Sequence, residues 1–143
     1  MRKYLILPLI VLNIFTVPEP LRAQMPDTRD QGDTVITGPL LYGLNQNFFK
    51  NADSVVYYAE KLITIGQESV NYPLTCYAMQ LGGEGYRTLG NFPRSLELQF
   101  TALQMNRDRK DILRQNFTSS FIGFTFLQSE FFDEALHYLL PAK

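Results

Sequence analysis

The stretch Tyr77 to Leu103 reads YAMQLGGEGYRTLGNFPRSLELQFTAL, and its pattern decides the fold expected for this 143-residue chain. Apolar and small residues recur there at three- and four-residue steps, the spacing of one helical face. In the first half these are Ala78, Leu81, Gly85 and Leu89, and Leu74 continues the same face before the stretch. Gly90 and Asn91 interrupt the pattern, and Pro93 suits the first turn of a new helix. A second stripe follows, so the stretch predicts two consecutive helices.

The same pattern recurs along the chain with a period of forty residues, which aligns Gly43 with Gly83 and Gly123. Tyr86 aligns with Phe126 at this offset. Three units in one register are typical of a repeat architecture, in which each helix pair buries its apolar face against its neighbours. Ile122, Phe124 and Phe126 alternate as in a strand, but the register assigns them to a helix. The period therefore predicts helix pairs over 38–71, 72–111 and 112–143.

The second unit resembles a tetratricopeptide repeat. It matches the family in a small residue at Gly83, an aromatic at Tyr86 and the turn Gly90-Asn91-Phe92. The resemblance implies an all-α solenoid of about three antiparallel helix pairs, each of roughly 40 residues. The packing positions that it implies are Gly43, Gly83, Tyr86, Gly123, Phe126 and Ala135. Because the standard repeat has about 34 residues, we expect about six extra residues between units, around 66–71 and 106–111, with Gly66 capping the helix before it.

The N-terminus is typical of a secretory signal peptide. Arg2 and Lys3 precede an apolar stretch from Tyr4 to Val17, which is shorter than a transmembrane helix. We expect residues 1–23 to be removed and residues 24–37 to form a flexible leader. An ordinary buried N-terminal helix is the alternative. Export predicts a periplasmic or cell-envelope location.

Composition excludes several functional classes. Thirteen basic residues against fourteen acidic ones give no broad basic surface, so we expect no nucleic-acid partner. One cysteine and one histidine cannot build a Cys- or His-rich metal centre. The sequence therefore predicts neither a metal nor a cofactor.

Four features invite a chemical interpretation, and each has a simpler structural one. Gly82–Gly85 lacks the Lys-Ser/Thr of a phosphate-binding loop, so helix packing is favoured. His137 and Cys76 have no catalytic partner nearby in sequence. The basic residues between Arg107 and Arg114 alternate with Asp108 and Asp111, as on a solvated helix junction. We therefore expect no catalytic residue and no enzymatic activity.

The resemblance also implies where a partner would bind, because the first helices of such repeats line a concave face. Carried onto this chain, the candidate groove residues are Asn47, Tyr77, Gln80, Glu84, Arg87, Thr88, Ser120, Phe124 and Gln128. Their mixed polar and aromatic character suits a peptide or protein segment. The groove lacks the paired Lys and Asn with which some family members hold a peptide C-terminus. A surface that is merely exposed is the alternative.

We therefore expect a non-enzymatic protein–protein interaction module. The alternative is the N-terminal sensor region of a longer signalling protein, such as a two-component histidine kinase with exported repeats. The third unit ends within its second helix, without the polar capping helix that solenoids need, which favours a fragment. Membrane association is expected only through the signal peptide or a region beyond Lys143.

Overall fold

The computed structural model describes residues 34–140, and it contains helices without any strand in that range. The apolar segments of this range thus form helices, including the alternating stretch at Ile122–Phe126. The signal peptide, most of the predicted leader and residues 141–143 lie outside the described residues. The helices are α1 (Thr34–Asn47), α2 (Ala52–Glu68), α3 (Tyr72–Thr88), α4 (Phe92–Asp108), α5 (Ile112–Gln128) and α6 (Phe132–Leu139).

The helix pairs predicted from the forty-residue period are present. Helices α2, α4 and α6 begin at residues 52, 92 and 132, and α3 and α5 begin at residues 72 and 112. Each helix packs against the next one along the chain, and α3 also contacts α5. The described chain is therefore an all-α fold of consecutively packed helices.

No linker of about six residues separates the helix pairs within 34–140, which corrects the expectation from sequence. Helices α2 to α5 each have 17 residues and are joined by turns of three residues. Gly66 does not cap α2, which continues to Glu68. A Cβ atom at Gly66 would lie 3.0 Å from the backbone nitrogen of Thr75, so this glycine allows α2 and α3 to approach closely.

The four turns after α2, α3, α4 and α5 share one geometry. After α2, the N–H of Asn71 donates to the Gly66 carbonyl at 2.7 Å and the N–H of Val70 donates to Gln67 at 3.2 Å. This is the Schellman arrangement, which needs one residue with a positive φ. Those residues are Val70, Gly90, Lys110 and Glu130. The side chain of an Asn or Asp then caps each helix from α2 to α5, at Asn51, Asn71, Asn91 and Asp111.

Helix α1 begins at Thr34, inside residues 24–37, for which the sequence predicts a flexible leader. Thr37, Leu41 and Leu44 are buried at three- and four-residue spacing, so one face of this helix packs against the rest of the molecule. The end of the expected leader, from Thr34, is thus helical, and Thr37 continues the buried face of α1.

Helix α3 is the centre of the molecule, and every residue from Leu74 to Gly85 is buried. It packs against α2, α4 and α5. The predicted packing glycines each face the second helix of their own pair. Their added Cβ atoms would approach the side chains of Tyr58, Gln99 and Leu139 to 2.5–2.7 Å. The helices of each pair approach closely at these points because no side chain separates them.

Candidate binding groove

A groove of about 790 Å³ opens between the α1–α2 turn, the C-terminal part of α3 and one face of α5. Its walls are continuous across three elements that are distant in sequence. We call this surface the groove. It is lined by Phe48, Phe49, Lys50, Asn51, Ala52, Glu84, Arg87, Thr88, Phe117, Phe121, Phe124, Leu127 and Gln128.

Aromatic side chains form most of the apolar lining. Phe117, Phe121 and Phe124 follow one another at four- and three-residue steps and therefore lie on one face of α5. The rings of Phe117 and Phe121 meet edge to face with centroids 4.6 Å apart. On the opposite wall, Phe48 and Phe49 meet similarly at 4.7 Å. The groove is thus bounded by two groups of aromatic rings.

Arg87 forms the polar centre of the groove and connects α3 to α5. Its Nη2 atom donates to Oε2 of Glu84 at 2.8 Å, and its Nε atom donates to both Glu84 oxygens at 3.1 Å. Its Nη1 atom donates to Oε1 of Gln128 at 2.5 Å. This fork holds the guanidinium in one orientation across the groove.

Glu84 is a buried carboxylate, 6% exposed, at the base of the groove. Burial raises its pKa above the ordinary value, while the hydrogen bonds and charge of Arg87 and the amide of Gln99 act in the opposite direction. Gln99 Nε2 donates to Oε1 of Glu84 at 3.1 Å. The carboxylate is therefore satisfied on two sides within the protein.

Behind Glu84 a hydrogen-bond network continues into the interface between α4 and α5. The hydroxyl of Thr125 donates to Gln99 Oε1 at 3.0 Å and lies 3.2 Å from the hydroxyl of Ser95. All three residues are buried. The network joins α3, α4 and α5, so the position of Glu84 depends on all three helices.

Five of the nine candidate groove residues line the groove, namely Glu84, Arg87, Thr88, Phe124 and Gln128. Asn47 and Ser120 lie outside its lining. The Asn47 side chain donates to the Gly43 carbonyl at 2.8 Å, and the Ser120 hydroxyl donates to the Asn116 carbonyl at 3.1 Å. Both side chains are thus bonded within their own helices.

The placement of Tyr77 and Gln80 on an accessible surface is wrong, because each is only 1% exposed. The Tyr77 hydroxyl donates to Oδ1 of Asn45 at 2.5 Å, and Gln80 Nε2 donates to Thr118 Oγ1 at 2.5 Å. Helix α3 is covered by three other helices, so the face that would be concave in a simple stack is interior here. Neither residue can contact a partner in this structure.

Sequence reasoning did not select the apolar wall. Phe48, Phe49, Phe117, Phe121 and Leu127 all line the groove. The adjacent phenylalanines directly after α1 were a usable signal, because a turn rarely needs two large apolar side chains. The pairing of this turn with α5, however, arises only in the tertiary structure.

The other residues that invite a chemical interpretation lie outside the groove, and each has contacts within the protein. Cys76 is buried, which raises its pKa to about 11, and its thiol donates to Oδ1 of Asn106 at 3.1 Å. His137 is exposed on α6 with its ring against Tyr138. Gly82 and Gly85 lie within α3 and face Ala59 and Val55 of α2.

Within residues 34–140, no cluster of three or more His, Cys, Asp or Glu side chains is arranged to hold a metal ion. None of the helices in that range has the length and hydropathy needed to span a bilayer. Comparison of the chain with protein-family models, with curated proteins and with solved structures finds no match.

Proposed function

We propose that this chain is a non-enzymatic protein-interaction module, built from tetratricopeptide-like repeats, whose groove binds an apolar segment of a partner protein. The observation that carries the proposal is the groove itself, in which the exposed rings of Phe49 and Phe124 lie beside a fixed arginine. Soluble proteins rarely leave such surfaces without a partner. We also propose that the module acts after export, as the N-terminal sequence suggests.

The repeat type is supported by the way in which the helices meet. Small residues at equivalent positions bring the helices of each pair together, and the first helices of the second and third units contact each other. Helices of 17 residues are longer than those of a repeat of about 34 residues. The proposed module is therefore a lengthened variant of the family pattern.

A peptide or protein segment fits the groove better than an enclosed small molecule does. Phe49 and Leu127, on opposite walls, are 75% and 45% exposed, so the groove is open along its length. Aromatic walls supply the apolar contact that dominates peptide affinity, and Asn51 and Gln128 offer amides to a bound backbone. An extended or helical segment with two or three apolar side chains matches these walls.

The polar groups of the groove favour binding over catalysis. Its lining residues include no His, Cys or Ser, and the hydroxyl of Thr88 donates to the Glu84 carbonyl at 2.9 Å. Glu84 is occupied by Arg87 and Gln99. A nucleophile, a base and an orienting group therefore do not come together in it.

Selection of peptides from a random library on the immobilised protein tests the proposal. Two leucines that are both 45% exposed allow a matched comparison, because Leu127 lines the groove and Leu89 does not. We expect the selected peptides to be rich in apolar residues and to bind Leu127→Glu at least about tenfold more weakly, a loss of about 1.4 kcal/mol. Leu89→Glu should bind them as the wild type does. Equal binding by both variants, or no enrichment of peptides, would contradict the proposal.

A further inference from the structure

A second exposed surface lies at the end of the molecule away from the α1–α2 turn. Because consecutive helices are joined by short turns and pack side by side, the α2–α3 and α4–α5 turns meet at one end. The guanidinium of Arg109 lies 4.6 Å from the ring centre of Tyr72 and joins the two turns. We call residues 70–72 and 107–114 together the basic edge.

Apolar side chains project from both turns of the basic edge. Val70 and Tyr72 on one turn are 64% and 48% exposed, and Ile112 and Leu113 on the other are 63% and 67% exposed. The first turn of α5 therefore presents two large aliphatic side chains to solvent. No other described element covers them.

Positive charge is concentrated beside these side chains. Residues 34–140 contain eight Lys and Arg residues, and four of them lie between Arg107 and Arg114. Outside that stretch, the described chain has four cations against eight carboxylates. Arg114 pairs with Asp111, whereas Arg107, Arg109 and Lys110 form no ion pair with any described residue. Asp108 accepts a hydrogen bond from Gln104, and Glu68 is the acidic residue of the neighbouring turn.

The backbone at Val70 indicates that its side chain has a role other than folding. Val70 has φ +54°, a region that is costly for a β-branched residue. Gly90 occupies the equivalent turn position after α3 with φ +77°. The chain thus has an exposed valine in a backbone conformation that glycine adopts without strain. Strain at an exposed position is typical of functional surfaces.

We propose that the basic edge docks onto an anionic lipid surface. Val70, Ile112 and Leu113 enter the interfacial region, while Arg107, Arg109 and Lys110 contact lipid phosphates. Apolar insertion and basic attraction together supply the two signals that stable peripheral binding requires.

A bilayer suits this geometry better than an acidic protein does. The apolar side chains stand at the tips of two turns, and a partner protein would need complementary cavities to receive them. A lipid interface accepts projecting side chains without shape complementarity. The basic edge contains none of the residues that line the groove, and this inference does not depend on the proposed function.

Cosedimentation with vesicles tests the inference. The assay uses the protein from Gln24 onward, which lacks the predicted signal peptide and retains every described residue. Circular dichroism and a thermal melt first establish that it is helical and folded. We expect it to bind vesicles of equal phosphatidylcholine and phosphatidylglycerol, and to bind pure phosphatidylcholine weakly. High salt should release it.

Matched variants separate the contribution of the basic side chains from that of the apolar ones. Lys110→Glu should weaken partitioning at least about fivefold, while Lys61→Glu, with the same change in net charge, should not. Ile112→Ser/Leu113→Ser should also weaken it, while the exposed pair Leu89→Ser/Leu136→Ser should not. Equal effects of Lys110→Glu and Lys61→Glu, or no preference for the anionic vesicles, would overturn the inference. If Ile112→Ser/Leu113→Ser leaves vesicle binding unchanged and the protein binds soluble polyglutamate equally well, the ligand of the basic edge is an acidic macromolecule and not a lipid surface.

Discussion

The residues that end the helices differ in backbone strain. Four turns need a left-handed residue, and among them only Gly90 adopts this conformation without a steric conflict with a Cβ atom. Lys110 and Glu130 are unbranched, whereas Val70 has two methyl groups close to its own backbone. The four turns have the same hydrogen bonds, so they differ mainly in the identity of this residue.

We expect Val70→Gly to raise the free energy of unfolding by about 0.5–1 kcal/mol. Relief of the left-handed strain gives about 1–2 kcal/mol, and the greater freedom of glycine in the unfolded chain removes about half of that gain. Urea denaturation monitored by circular dichroism measures the change as a higher midpoint with an unchanged slope.

The reverse substitution at the equivalent turn serves as the control. Gly90→Val should lower stability, since it introduces the same strain into an unstrained turn. A Val70→Gly protein that is less stable than the wild type would show that the valine side chain contributes more by packing than it costs in strain.

At the scale of a single element, α3 differs from a simple amphipathic helix because it buries polar groups as well as apolar ones. Gln80 and Glu84 lie one turn apart on α3, and both bond to residues of neighbouring helices. Thr118 receives the Gln80 amide and also the amide of Asn106. These bonds fix the positions of α4 and α5 relative to α3, because each buried polar group loses free energy if its partner moves away.

The buried carboxyl of Glu84 should make stability depend on pH. Its pKa is raised in the folded protein by burial, so the folded state holds the proton to higher pH than the unfolded state does. The contribution of this group to stability is therefore greatest at low pH and falls as the pH rises through the folded pKa. We expect the stability of Glu84→Gln relative to the wild type to increase as the pH rises above about 4, the ordinary range of a glutamate carboxyl, as measured by thermal melts at each pH.

The opposite trend would have a clear meaning. If Glu84→Gln loses stability relative to the wild type as the pH rises, the attraction of Arg87 outweighs the burial of the carboxyl. The pKa of Glu84 would then be lowered and not raised, and Arg87 would be a stabilising partner as well as a groove residue.

For the whole molecule, burial decreases from the centre toward the last helix. Helix α3 is buried over twelve consecutive residues, whereas α6 has eight residues, of which Ala135 alone is buried. Helix α6 is also preceded by Phe131 at its N-cap position, whose side chain makes no capping hydrogen bond. Resistance to local opening depends on buried contacts, so the described helices should differ in stability.

We expect amide hydrogen exchange to follow this gradient. Peptides from α3 should exchange slowest, close to the rate set by global unfolding, and peptides from α6 should exchange fastest among the described helices. Exchange followed by mass spectrometry at neutral pH measures both. Equal protection of α3 and α6 would mean that the helices unfold as one unit, or that another surface covers α6 in solution.

Periodicity was sufficient to predict the helices but not their lengths. The stripes of apolar residues placed all the helix pairs, and Gly90-Asn91 marked a turn that the structure contains. Val70 and Lys110 gave no comparable signal, since neither residue type favours a left-handed turn. The sequence therefore predicts an early end for the helices before these turns and a linker in place of their last residues.

The candidate groove was only partly predictable for a related reason. Arg87 and Gln128 were selected because their positions within a repeat suggested a shared surface, and both line the groove. Tyr77 was selected on the same basis and is buried. Position within a repeat determines which way a side chain points from its helix, but not which neighbour covers it.

The sequence by itself thus determined the all-α class and the forty-residue register of helix pairs, because helical periodicity and small packing residues act locally or between adjacent segments. Only the tertiary structure decided that α3 is enclosed by three helices and that Phe48 and Phe49 face α5. Those relations join separate helices, and the approach of Phe48 and Phe49 to α5 joins residues more than sixty positions apart. They depend on how closely every intervening helix packs, which no local pattern encodes.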